Sequence, residues 1–146
     1  MHRVLPAALT AVALVWLALL LLAPLVPREA ALVYRYASGV CHQRPERSFR
    51  LAGRPLPVCA RCFGLYASGA IAAAVAMGVR ASRDGVIPGP RTARIVFAVA
   101  AAPTVLTVAA EWIGLAPFSN LARAVASVPL GAAAGWLFVR MLRYHA

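Results

Sequence analysis

The apolar positions of this chain fall into four long unbroken runs, separated by polar stretches, rather than into the short alternations of a sheet. Val4 to Val26 is almost free of polar side chains over 23 residues. At about 1.5 Å per residue, a helix of that length crosses a hydrocarbon core of about 30 Å. A cleavable secretory signal has an apolar core of only about 7–15 residues and a small-residue cleavage site. This run is longer and closes in Pro24-Leu25-Val26-Pro27-Arg28, which favours an uncleaved first span. Phe63 to Val79 is the second run. Its small residues (Gly64, Ala67, Gly69, Ala70, Ala73, Ala74 and Gly78) suit a central helix approached closely by its neighbours. Ile95 to Ile113 is the third, with Pro103 inside it as a kink point. Leu121 to Val139 is the fourth, with Gly131 and Gly135 at small-xxx-small spacing. Between the second and third runs, Arg80 to Arg94 carries the turn signals Asp84-Gly85 and Pro88-Gly89-Pro90. The pattern predicts one domain over 1–146. It is an all-α membrane protein with transmembrane helices at about 4–26, 63–79, 95–113 and 121–139, and a Cys/His-containing loop at 27–62.

That loop is the one sizeable non-membrane element. Leu32, Val33, Tyr36 and Val40 stand at helical spacing, which predicts a short interfacial helix within 29–40. Residues 48–51 and 55–58 flank Ala52-Gly53-Arg54 as a small hairpin, weakened by two prolines in its second strand.

Following the chain across the membrane brings polar residues together. The second span leaves the face that carries the loop, the third returns to it, and the fourth departs from it. Glu111 lies at the returning end, and Asn120 and Arg123 lie at the next departing end. All three are therefore expected level with Cys41, His42, Cys59 and Cys62. An ionisable residue in a span is costly, so Glu111 and Arg123 read either as an ion pair tying two helices or as substrate contacts.

Composition supports the membrane reading. The apolar fraction is 62% and the mean hydropathy +0.77, against about 45–50% apolar in soluble domains. The net charge of +11 comes from fifteen basic and four acidic residues, and every basic one is arginine. No nucleic-acid-binding signature accompanies the charge, so the expected partners are membrane lipids and not nucleic acid. The expected location is multi-pass in the inner or plasma membrane. The positive-inside rule gives no direction, with seven arginines on the face of the termini and eight on the loop face.

Candidate chemistry is concentrated in the loop, which reads Cys41-His42-Gln43 and then Cys59-Ala60-Arg61-Cys62 and holds all three cysteines. A two-residue gap between cysteines is a common zinc spacing, so Cys41, His42, Cys59 and Cys62 are the predicted ligands, with zinc as the expected metal. Cys41 and His42 are an awkward pair, because neighbouring side chains of an extended segment point to opposite sides. A turn lets both bind; otherwise one position stays open, as in catalytic zinc sites. The alternative is redox, with Cys59 and Cys62 forming a disulfide and Cys41 exchanging with it. A third reading is a non-catalytic subunit or transport component. Arg44, Arg47, Arg50, Arg54 and Arg61 favour thiolates and can grip phosphate. Arg47, Arg61, Glu111, Asn120 and Arg123 are the candidate substrate contacts. Glu111, Arg123 and Arg47 are the candidates for chemistry.

Cys-His-Gln, Arg-Pro-Glu-Arg-Ser-Phe and Pro-Val-Cys-Ala-Arg-Cys-Phe-Gly-Leu-Tyr together resemble a family of small bacterial and archaeal integral membrane proteins, classed as a domain of unknown function. The resemblance covers roughly residues 33–135. It extends to an acidic residue late in a span, followed by Asn-x-x-Arg and a glycine, matched here by Glu111, Asn120, Arg123 and Gly131. Glu111 stands where the family pattern has aspartate, Phe63 where a small hydroxyl residue is common, and Ser127 where threonine is common. The resemblance implies the membrane fold and no particular reaction.

Overall fold

Four helices of 19 residues or more carry the chain back and forth, and the computed structural model describes them within residues 4–26, 28–79 and 89–145. Helix α1 spans Val4–Leu22, α3 Ala60–Gly78, α4 Pro90–Trp112 and α5 Asn120–His145. No more than 28% of the most apolar stretch of any of them is buried inside the protein. The rest of that apolar surface needs lipid, and the chain is a four-span membrane protein.

The ends of the helices differ from the apolar runs for local reasons. Helix α1 stops at Leu22, four residues before the apolar run ends, because Pro24 disfavours helical backbone at the residue before it. Helix α3 begins at Ala60 rather than Phe63, with Cys59 as its extended N-cap residue. Helix α4 begins at Pro90, five residues earlier than the apolar run, since proline is well suited to a first helical position. Helix α5 continues to His145, beyond the apolar limit at 139. Arg140 and Arg143 at this end carry charge without breaking backbone hydrogen bonds. Pro103 lies inside α4. The turn expected at Asp84-Gly85 lies outside the described residues.

The tightest packing in the bundle is between α3 and α5, with α1 against α3 and α4 against α5. Small residues make this approach possible. A Cβ added to Gly64 would collide with the backbone of Ala124, one on Gly131 with Leu65 and Ser68, and one on Gly135 with Gly69. Van der Waals contact of this kind holds helices together where lipid removes the hydrophobic drive.

The loop expected at 27–62 contains the predicted short helix, α2, at Ala31–Ser38. A 3-10 turn follows at Pro45–Arg47. The hairpin is shorter than its apolar pattern: β1 (Arg50–Leu51) pairs antiparallel with β2 (Arg54–Pro55). Arg54 therefore belongs to a strand and not to the turn. Ala52 and Gly53 both have positive φ, 50° and 77°, the backbone of a two-residue hairpin turn that matches strand twist.

Candidate metal and anion site

The loop is folded back on itself by side chains that hold backbone. The Gln43 amide donates to the carbonyls of Tyr34 (2.7 Å) and Pro57 (2.8 Å), and the Tyr34 hydroxyl donates to the Pro55 carbonyl at 2.8 Å. Gln43 does this from a left-handed conformation at φ 48°. The end of α2 is thereby tied to the segment that enters α3. Cys41 comes to lie beside Cys59, whose backbone N–H donates to Cys41 Sγ at 3.1 Å.

All three sulfurs meet there. The Sγ atoms of Cys41, Cys59 and Cys62 lie within 4.8 Å of one another, and all three are free thiols. Cys59 and Cys62 occupy the N-cap and first turn of α3, where the helix end favours negative charge. The Cys62 thiol hydrogen bond draws the Cys59 thiol down to about 5. Burial opposes this, and the Cys62 backbone, the Cys41 thiol and the Arg61 backbone reinforce it. Trp16, Val33, Phe63 and Tyr66 pack around the buried Cys41, Val58, Ala37 and Leu20.

Glu111, Asn120 and Arg123 reach the same region from α4 and α5, as the crossing count requires. Glu111 Oε1 accepts from Arg123 Nε at 2.8 Å, and Oε2 accepts from Arg61 Nη2 at 2.8 Å. Arg47 Nη1 stands 4.0 Å from Oε2. The carboxylate side chain is 6% exposed, so three helices and the 3-10 turn converge on one buried charge. Asn120 locks the assembly. Its Oδ1 accepts from Arg123 Nη1 at 2.8 Å, and its Nδ2 donates to the carbonyls of Ser48 (3.1 Å) and Glu46 (3.4 Å). This holds the Arg-Pro-Glu-Arg-Ser segment over α5, while Phe49 packs edge-on to Phe63 at 5.7 Å.

A cavity of about 600 Å³ is lined by Cys41, Cys59 and Cys62 together with Arg44, Arg47, Arg61, Glu111 and Arg123. Val40, His42 and Trp112 complete its wall. Trp112 is 85% exposed, as befits an interfacial tryptophan at the end of a span.

His42, expected as a fourth ligand, stands outside the sulfur group. Cys41 is buried in that group, while its neighbour is exposed and lines the same cavity without joining the three sulfurs. Arg50 and Arg54 also lie away from the cavity: Arg50 reaches the Gly53 carbonyl and Arg54 the Pro24 carbonyl. Two residues that the motif reading did not single out are Gln43, which sets the loop, and Tyr66, one helical turn beyond Cys62. Tyr66 was detectable as a periodic continuation of the cysteine face. The role of Gln43 depends on backbone partners that no spacing rule reveals.

Residues 41–137 match the family described as Predicted membrane protein (DUF2085). The chain belongs to that family. Within curated proteins it is similar to an uncharacterized protein of Methanocaldococcus jannaschii, 53% identical over 34 residues, which is 23% of this chain and 22% of that protein. It is also similar to an uncharacterized protein of Methanothermobacter thermautotrophicus, 48% identical over 33 residues, or 23% of this chain and 27% of that one. These matches span about a quarter of the length of each relative. No solved structure matches the chain.

Proposed function

We propose that this membrane protein carries a zinc site held by the thiolates of Cys41, Cys59 and Cys62, with its fourth position open to the cavity. The observation that carries this is the mutual approach of three sulfurs from two separate segments to within 4.8 Å. Zinc–thiolate bonds of about 2.3 Å in tetrahedral geometry set sulfurs about 3.8 Å apart, so small side-chain rotations complete the set. The Cys59 N–H bond to Cys41 Sγ is the kind of outer-shell contact that orients a ligand sulfur. Bound zinc supplies a Lewis-acid centre or activates a water. The chain's own residues supply the rest. Arg47, Arg61 and Arg123 provide positive charge for a substrate that enters the cavity at the membrane surface. Glu111, with both oxygens engaged, positions two of those arginines.

A second reading is favoured by the Cys59 thiol near 5 at a helix N-terminus: a thiol–disulfide oxidoreductase using Cys59, Cys62 and Cys41. Metal analysis paired with thiol titration of chelator-free protein separates the two. The zinc reading predicts about one zinc per chain and protected thiols, loss of metal in Cys41→Ser and Cys59→Ser, and retention in His42→Ala. Metal-free protein with an exchangeable disulfide supports the oxidoreductase instead.

A further inference from the structure

The geometry points to a phosphate-type dianion as the ligand of this cavity, held by Arg47 and Arg61 with Arg44 and Arg123 as supporting charge. This deepens the reading above by naming the substrate class, and it rests on the same cavity but not on the metal. Four guanidiniums line the space against a single carboxylate. The sulfur cluster adds one negative charge whether it holds a single thiolate or zinc with three thiolates, so two positive charges remain uncompensated in either state. A surplus of two suits a phosphomonoester, which carries about −1.5 to −2 at neutral pH.

The donors are also unequally used. Glu111 takes one nitrogen each from Arg61 and Arg123 at 2.8 Å. Arg61 Nε is buried with no hydrogen-bond partner, although a buried guanidinium N–H ordinarily has one. Arg47 is 4.0 Å from the carboxylate and 38% exposed, so its planar fork is available for bidentate contact. Arg61 lies in the first turn of α3, a 19-residue helix whose N-terminal end adds to the positive field. The volume of about 600 Å³ falls within the range of small-ligand pockets. The phosphate can belong to a free solute or to a lipid headgroup, since the cavity opens where the spans meet the surface.

The test is calorimetric titration of the purified full-length chain with inorganic phosphate, with and without prior chelation of metal and at fixed ionic strength. In parallel, the chain is recovered from nanodiscs of phosphatidylcholine doped with phosphatidic acid, and its retained lipid is measured. Binding should persist after chelation, weaken about tenfold in Arg47→Gln, and tighten in Glu111→Gln, because the carboxylate competes with the anion. Arg44→Gln, at an exposed position, provides a second weakening variant should Arg47→Gln fold poorly. Phosphate binding assigns a soluble source; selective retention of phosphatidic acid, lost in Arg47→Gln, assigns a lipid source. Absence of both in both metal states overturns the proposal, as does binding indifferent to all three variants. Protein purified without chelator that carries no zinc yet binds phosphate contradicts only the metal reading.

Discussion

Cys41 and His42 are adjacent in the chain, yet one sulfur is buried against Cys59 and the neighbouring imidazole is exposed on the cavity wall, outside the sulfur group. That separation turns a four-ligand expectation into a three-thiol cluster with an open side. Within the cluster the thiols are unequal, because hydrogen bonds converge on Cys59 and hold its thiol near 5. The thiolate is the reactive form and is present above that value, so reactivity disappears only as the solution is acidified through it. In reduced, metal-stripped protein, iodoacetamide labelling mapped by mass spectrometry should show Cys59 modified at a nearly constant rate from pH 8 down to about 6, with half the rate near pH 5. An ordinary thiol would lose half its rate near pH 8.5. A half-rate above pH 8 at Cys59 would contradict the assignment of charge within the cluster. The depth of Glu111 was legible from the crossing count, and Arg61 was expected beside it as a substrate contact, but only the fold pairs the two directly.

The elements were legible to the extent that apolar length defines them. All four spans were expected, and each exists, because lipid forces an apolar run of that length into a helix. Their ends were less legible, since Pro24 shortens α1 while Pro90 starts α4 early. Arginines at the foot of α5 end the apolar run without ending the helix. The hairpin was recognisable from Ala52-Gly53, but its strands are only two residues each. The α3–α5 contact depends on glycines facing backbone, which gives substitutions of opposite sign. Gly135→Ala, with its Cβ forced against Gly69, should destabilise detergent-solubilised protein by about 1–3 kcal/mol. Gly78→Ala, with open space around it, should be neutral or stabilising by up to about 1 kcal/mol. Thermal unfolding followed by size-exclusion recovery distinguishes them. Equal melting of the two variants would mean that α5 does not touch α3 at Gly135.

At the scale of the whole molecule, two segments far apart in sequence meet on one face of the bundle. The thiol loop contributes three sulfurs that could hold a metal ion, and the ends of α4 and α5 contribute an acid held by arginines. The meeting was derivable by counting crossings, because each span reverses direction. The network was not derivable, because Asn120 joins the two segments through backbone carbonyls of the loop, and Gln43 holds the loop together through others. X-ray absorption at the zinc edge of the purified, unchelated chain reads directly whether the three sulfurs share one ion. It should show three sulfur scatterers at about 2.3 Å and one lighter nitrogen or oxygen neighbour at about 2.0–2.2 Å. A spectrum with only nitrogen and oxygen neighbours, or protein that carries no zinc at all, would contradict it.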